Sequence, residues 1–205
     1  DMGAPAGEPK PMVFDLTGKL PPHDCRLRIT TNYQIYWDQI LVDTTSSEPP
    51  HRVRELPLEE AVLRWLGYPY DYSPDGRKPK VYDYRRALLT PRYNWRDITG
   101  YYTRYGDVKE LLKDVDDRFV IMRHGDEVAL KFGVLPVPDG WERSFVFYAN
   151  GFGKSTDLWS AYTSTVDPLP FHGMSTYPYP EGESYPDDPE HRDYLERYNT
   201  RLIVW

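Results

Sequence analysis

The chain has 205 residues, enough for one large or two small domains, and its net charge is −7. This acidic balance, without any run of lysine and arginine, argues against a nucleic-acid-binding protein, which normally presents a basic face. No apolar run approaches the ~20 residues of a membrane-spanning helix, and there is no h-region of a signal peptide. Because the chain begins at Asp1, we expect a processed product or a fragment of a longer protein.

Aromatic and proline residues dominate the composition. Aromatic residues make up 15% of the chain, with 18 Tyr and 6 Trp, and 20 Pro are concentrated in connecting segments. Aromatic side chains bury large areas, so a core can form although the hydrophobic content is only 40%. We therefore predict a mainly antiparallel β-sandwich of jelly-roll type, with one or two short helices and long ordered loops.

The first part of the chain predicts a linker followed by strands. Residues 1–11 are small and Pro-rich and predict a linker or arm, and residues 12–166 are assigned to the β-sandwich domain. The run "CRLRITTN" alternates apolar and polar residues and leads into "NYQIYWDQILVD", where both faces are mostly apolar. We predict a central strand over residues 33–42, covered on both sides. Cys25, the only cysteine, excludes an internal disulfide.

The middle of the chain contains three further patterns. Residues 56–67 fit a helix or a strand equally well. The run "GDVKELLKDVDD", residues 106–117, predicts a short helix, with Asp107 as its N-cap and an inner face formed by Val108, Leu111, Leu112 and Val115. Residues 118–132 predict a hairpin, because two alternating runs flank a His-Gly-Asp turn. The run "RSFVFYANGFGKST" adds another predicted strand.

The C-terminal part, residues 167–205, predicts an extended strap. Six prolines between residues 167 and 191 prevent a regular sheet or helix there. The aromatic residues in the same segment argue against a solvated tail. We expect the strap to pack on the domain or on a partner, with one or two helical turns in "DPEHRDYLERYNTR".

The sequence contains no motif that fixes a reaction. Its five histidines lack the spacing of a shared metal site, and there is no serine elbow, phosphate loop or dinucleotide fingerprint. Acidic clusters in "KDVDDR" and "YPDDPEH" leave calcium as the one candidate metal, although neither has the spacing of a calcium loop. Paired carboxylates for glycoside hydrolysis stay an alternative, because their separation depends on the fold.

Aromatic residues are the best candidates for binding. Tyr and Trp can stack on a sugar ring or fill a pocket of a partner protein, and they can equally fill a core. For Trp37 the core interpretation is favoured, since Ile35 and Leu41 share its predicted face. Asp38, on the opposite face, needs a hydrogen-bond partner or water. The candidate binding residues are Tyr36, Trp37, Asp38, Trp159, Tyr162, Phe171, His172, Tyr177 and Tyr179.

Four segments together carry a resemblance to a known group of proteins. They are "LRITTNYQIYWDQILVD", "YYTRYGDVKELLKDVDDRFVIMRHGDEVALKF", "GWERSFVFYANGFGKSTD" and "VDPLPFHGMSTYPYP". In this order they resemble a C-terminal region of large bacterial secreted proteins with FG-GAP/VCBS-like propeller repeats and an ASPIC/UnbV module, or with tetratricopeptide repeats. The resemblance implies export and membership of a multi-module assembly. It implies no activity.

These observations lead to a hypothesis about function. We expect a non-catalytic, extracytoplasmic binding or assembly module whose partner is another protein or another module of the same assembly, with a glycan as a second class of ligand. A glycan-directed hydrolase and a structural subunit of a filament or multi-protein complex are the alternatives.

Overall fold

The computed structural model describes residues 12–20, 23, 26–31, 35–44, 51–77, 80–92, 97–154 and 161–204. Contacts divide the chain into two compact units. Unit 1 consists of Asp1–Val53 and Tyr70–Asp83, and unit 2 consists of Arg54–Pro69 and Tyr84–Trp205.

The largest sheet lies in unit 2 and has three antiparallel strands. Its central strand is β1 (Leu58–Trp65), which pairs with β5 (Gly106–Asp107) on one side and with β6 (Asp126–Phe132) on the other. Alternate residues of β1 are buried: Ala61 and Leu63 face the core, while Val62 between them is exposed. This period of two decides the ambiguity of residues 56–67 in favour of a strand.

Two helical elements cover β1 and form the first core of unit 2. They are a 3₁₀ helix (Lys109–Leu112) and the helix α1 (Pro189–Arg197). The buried residues of this core are Ala61, Leu63, Val108, Leu111, Tyr194 and Tyr198. The Tyr194 hydroxyl donates to the carbonyl of Phe119 at 2.8 Å, and the Tyr198 hydroxyl donates to Glu110 at 2.8 Å. Both buried rings therefore keep their polar ends satisfied.

A second core of unit 2 lies beside the antiparallel pair of β4 (Gly100–Tyr102) and β7 (Arg201–Ile203). Its buried residues are Tyr102, Val166 and Leu169. Thr99 forms a parallel bridge with Thr165, so the residues around 166 run beside β4. The first part of the predicted strap thus supplies core residues.

The strands β2 (Tyr68–Tyr72) and β3 (Val81–Leu88) form a separate two-stranded sheet. In the unit 1 part of this sheet, the ammonium of Lys80 lies 2.6 Å from the carboxylate of Asp71, which is buried. The connection contains a turn at the sequence Pro-Asp-Gly, residues 74–76, and Gly76 adopts a positive φ of 78°. Over the described ranges, the regular elements are therefore mainly strands in small antiparallel sheets, with one α-helix. This confirms a mainly antiparallel β protein, whereas the jelly-roll sandwich stays a prediction.

The strand predicted over residues 33–42 is not formed where the structure describes it. Residues 35–44 are neither strand nor helix, and Tyr36, Ile40 and Leu41 are exposed. Residues 32–34, including Tyr33, lie outside the described residues. A strand with two apolar faces requires hydrogen-bonded neighbours and cover on both sides, and residues 35–44 pair with no described strand.

The hairpin predicted over residues 118–132 is half correct. Its second arm is β6, but β6 pairs with β1. The first arm, residues 119–122, forms no strand. There the backbone N–H of Ile121 donates to the hydroxyl of Thr103 at 2.7 Å, and the N–H of Thr103 donates to the carbonyl of Ile121 at 3.2 Å. The backbone N–H and carbonyl of Ile121 are therefore bonded to Thr103 rather than to a hairpin partner.

Two other local predictions need correction. The helix predicted in residues 106–117 is a single 3₁₀ turn over Lys109–Leu112. Of its predicted inner face, Val108 and Leu111 are buried, while Leu112 and Val115 are exposed. The strand predicted in "RSFVFYANGFGKST" is absent from its described part, residues 143–154. The helix predicted near the C-terminus is confirmed as α1. Among the described helices, none has both the length and the apolar character needed to cross a membrane.

Candidate ligand-binding site

The nine candidate binding residues fall into separate places. Tyr36, Trp37 and Asp38 lie in unit 1, and Tyr36 is 98% exposed. Trp159 lies outside the described residues. The other five lie in unit 2, on the segment that follows residue 161. Of these, Phe171 is buried, and His172 belongs to a different contact network from the tyrosines.

Two of the predicted tyrosines, Tyr177 and Tyr179, each contact a phenylalanine ring. We call Phe152, Tyr177 and Tyr179 the tyrosine cluster. The rings of Phe152 and Tyr177 have centroids 4.7 Å apart and are tilted by 60°. Tyr179 packs edge-on against the buried ring of Phe171 at 5.4 Å. The Tyr177 hydroxyl donates to the carbonyl of Pro168 at 2.9 Å, which holds this ring in place.

Tyr162 has a strained backbone. Its φ is 55°, and among the described residues it is the only non-glycine residue with a positive φ. For a bulky L-residue this conformation costs about 1–2 kcal/mol. The turn is closed by the N–H of Thr165, which donates to the carbonyl of Tyr162 at 3.3 Å. Strained residues of this kind are found most often at active sites and ligand clamps, and the Tyr162 side chain is 56% exposed.

The hydroxyls of the tyrosine cluster share one electrostatic environment. Burial is the largest cause that raises the pKa of Tyr177, and the charges of Tyr179, Asp167 and Tyr162 raise it further. Burial also raises the pKa of Tyr179, where a backbone hydrogen bond from Tyr185 opposes it and Asp167 adds to it. The hydroxyls of Tyr177 and Tyr179 therefore stay protonated at neutral pH.

Lys154 links the ring of Tyr177 to the backbone at Val166 and Asp167. Its ammonium donates to the carbonyls of Val166 and Asp167, both at 3.0 Å, and lies 5.6 Å from the centroid of Tyr177. Burial lowers the pKa of Lys154, and the charge of Asp167 opposes that effect. Sequence reasoning missed Lys154 and Phe152. Their signal was a lysine two residues after a phenylalanine in "GFGKST", a run that was interpreted only as the end of a predicted strand.

A second polar cluster surrounds Asp117. Its carboxylate accepts from the backbone N–H of His172 at 2.6 Å, lies 2.8 Å from Nδ1 of the same residue, and lies 3.4 Å from Nε2 of His191. Burial would raise the pKa of Asp117, but the hydrogen bonds from His172 and His191 outweigh burial and lower it. The cluster lines an open depression of about 170 Å³. It ties the segment at His172 to α1.

Among the described residues, no group of three or more His, Cys, Asp or Glu side chains is placed to hold a metal ion. The calcium site stays a prediction. The chain matches no protein-family model, no curated protein and no solved structure. The function is therefore argued from the surfaces and sites of the chain itself.

Proposed function

We propose that this chain is a non-catalytic, extracytoplasmic assembly module of a larger secreted protein or complex. One observation supports this proposal most. The side chains of Phe145, Val146, Phe147 and Tyr148 are 69% to 95% exposed, although they are consecutive and therefore point to both sides of the chain. We call residues 144–148 the apolar segment.

Like its side chains, the backbone of the apolar segment makes few contacts within the described residues. In the part of the chain that the structure describes, no backbone hydrogen bond links residues 144–150 to another segment. The segment is tethered at its start, where Arg143 donates to the carbonyl of Leu135 and lies 5.7 Å from the ring of Phe145. Aromatic and β-branched residues with free backbone groups are suited to pairing with another strand.

The proposed interaction is therefore addition of a strand to a sheet of a neighbouring module. Backbone hydrogen bonds would supply affinity, and the alternating side chains would be covered on both faces. We further propose that this pairing completes a β-sandwich of jelly-roll type. The resemblance to secreted multi-module proteins supports an extracytoplasmic location and a partner within the same assembly.

Site-specific photo-cross-linking in the native assembly tests this proposal. A benzophenone amino acid at Val146 is expected to form a covalent link to a neighbouring module or chain, and the linked peptide identifies the partner strand. Phe145→Asp together with Phe147→Asp is expected to abolish the link. Leu89→Asp is the matched control, because Leu89 is equally apolar and 89% exposed but lies outside the apolar segment.

Two results would contradict the proposal. One is a probe at Val146 that reacts with no protein in the intact assembly. The other is an equal effect of the Leu89 control and the Phe145/Phe147 variant. Self-linked products of identical chains would instead favour a structural subunit of a filament.

A further inference from the structure

Asn150 and Gly151 follow shortly after the apolar segment and form the only Asn-Gly pair of the chain. We propose that this pair is a site of spontaneous modification, at which the Asn150 side chain of the unassembled protein is converted through a cyclic imide into aspartate and isoaspartate. The modification itself does not depend on the proposed function. Its consequence for strand addition rests on that proposed function and is tested separately.

The reaction needs only the chain and water. The backbone nitrogen of Gly151 attacks Cγ of the Asn150 amide, and the bond from Cγ to Nδ2 breaks. The N–H proton passes through water to the departing nitrogen, which leaves as ammonia. Water then opens the imide ring. Cleavage of the new bond between Cγ and the Gly151 nitrogen gives aspartate, and cleavage of the original peptide bond gives isoaspartate, in which the backbone runs through Cγ.

The structure leaves this attack unhindered. Both residues are exposed and lie outside helices and strands. A Cβ built on Gly151 meets nothing within 4 Å, so the space around the attacking nitrogen is open. Within the described residues, neither the side chain of Asn150 nor the N–H of Gly151 makes a hydrogen bond. An asparagine side chain can reach the neighbouring backbone nitrogen, and glycine gives that backbone its widest range of conformations.

The fold distinguishes Asn150 from Asn199. The residue Asn199 is only 7% exposed, and its backbone N–H donates to the carbonyl of Tyr194 at 3.4 Å. The residue after it is Thr200, whose branched Cβ crowds the backbone nitrogen. Asn32 and Asn94 lie outside the described residues. The structure therefore predicts conversion at Asn150 and retention of the amide at Asn199.

Conversion of Asn150 would prevent the strand addition proposed above. Aspartate places a negative charge beside an apolar strand, and charged side chains oppose pairing at a strand edge. Isoaspartate adds one atom to the backbone, which shifts the alternation of side chains beyond it. Pairing in turn fixes the backbone in an extended conformation and so slows the attack by Gly151. Modified chains are thus excluded from the assembly, whereas chains that have paired keep Asn150.

The test incubates the full chain in mildly alkaline buffer made with heavy-oxygen water, and peptide mapping then locates each new carboxylate. We expect Asn150 to convert at a rate on the order of that in a free peptide of residues 147–153, because an unprotected segment opens at almost no cost. Asn199 should stay intact. Gly151→Ala is expected to slow the conversion about tenfold or more, since a Cβ restricts the backbone and crowds the nitrogen. Gly153→Ala is the matched control and should leave the rate unchanged, because a Cβ at Gly153 also meets nothing within 4 Å.

Each outcome decides one part of the inference. Conversion more than about tenfold slower in the folded chain than in the peptide, or equal rates in wild type and Gly151→Ala, overturns the modification site. Incubated chains are expected to lose the Val146 cross-link in the native assembly, and incubated Asn150→Gln chains to keep it. Converted chains that still link at Val146 would overturn the consequence for assembly. A Val146 probe that links to no protein would overturn the assembly role and leave the modification site standing.

Discussion

Gly125 precedes β6 and lies directly against the indole ring of Trp65. Its φ is +86°, and a Cβ at this position would lie 2.4 Å from Cη2 and 2.5 Å from Cζ3 of Trp65. The ring has little freedom to move. The guanidinium of Arg123 lies 4.9 Å from its centroid, and Tyr68 packs edge-on at 5.3 Å. Glycine is therefore favoured at position 125 both by the left-handed backbone conformation and by the close packing of the Trp65 ring.

We expect Gly125→Ala to lower the free energy of unfolding by about 2–4 kcal/mol, as the sum of left-handed strain and overpacking against a fixed ring. Gly140→Ala is the control. Gly140 has a similar φ of +77°, but a Cβ there meets nothing within 4 Å, so only the strain term applies. Urea unfolding of both variants measures the difference. An equal loss of unfolding free energy in both variants would mean that the Trp65 ring moves away from the new Cβ without an energetic cost.

Tyr102 should make the protein sensitive to alkaline pH. The ring is buried, its hydroxyl donates to the carbonyl of Ile98 at 2.7 Å, and burial is the main cause that raises its pKa from 10.0 to about 12. The folded state therefore holds this proton more tightly than the unfolded state. Its contribution to stability is complete below pH 10.0 and is lost as the pH rises towards about 12.

The test compares urea midpoints of wild type and Tyr102→Phe across this pH range. At neutral pH the variant is expected to be less stable by about 1 kcal/mol, since the partly buried carbonyl of Ile98 loses its donor. Above pH 10 the stability of the variant should fall less steeply than that of wild type. Parallel curves would show that Tyr102 does not contribute to the alkaline loss.

At the scale of elements, Asp188 fixes the start of α1. Its carboxylate accepts from the backbone N–H of Glu190 at 2.9 Å and from that of His191 at 3.1 Å, and its other oxygen lies 2.7 Å from Nδ1 of His191. Pro189 occupies the first helical position, where a missing N–H costs nothing. Because α1 carries Tyr194 and Tyr198 into the first core, loss of this cap should reduce global stability.

Asp188→Ala is expected to lower Tm by a few degrees. Asp193→Ala, which removes an exposed pair with Arg197 on the same helix, is expected to lower it less. The hydrogen bond from the His191 backbone is the main cause that lowers the pKa of Asp188. The charged cap therefore stabilises the folded state fully at pH values above the ordinary pKa of an aspartate. This stabilisation is lost as the pH falls through the lowered pKa of Asp188. A difference between wild type and variant that persists unchanged into acid would contradict this account.

Sequence periodicity predicted β6 correctly but did not identify its partner. Residues 126–132 alternate and form β6, but the sequence does not reveal that the partner is β1, since pairing over such a separation depends on the fold. Residues 35–42 show an equally apolar pattern and form no strand, because no described neighbour covers them. Aromatic density also singled out Tyr177 and Tyr179, which contact phenylalanine rings, and their role in binding stays a prediction. Lys154 was missed, because its role depends on carbonyls that are distant in sequence.

At the scale of the whole molecule, the two cores of unit 2 are joined through one side chain. Leu195, on α1, packs against both of them. The C-terminal segment therefore supplies residues to each core: Val166 and Leu169 to one, and Tyr194 and Tyr198 to the other. Such shared packing favours cooperative unfolding of unit 2. The apolar segment takes no part in either core, which is why its burial requires another module.

Hydrogen exchange of the intact chain should distinguish the apolar segment from the strands that cover the first core of unit 2. In the isolated chain we expect residues 144–150 to exchange at nearly unprotected rates, because no backbone hydrogen bond within the described residues protects them. Residues of β1 and β6, which are paired and cover the first core, should exchange slowly. In the native assembly the amides of residues 144–150 should become protected at alternate positions, as expected when one edge of an added strand is paired. Protection of the segment already in the isolated chain, or none in the assembly, would remove the basis for strand addition.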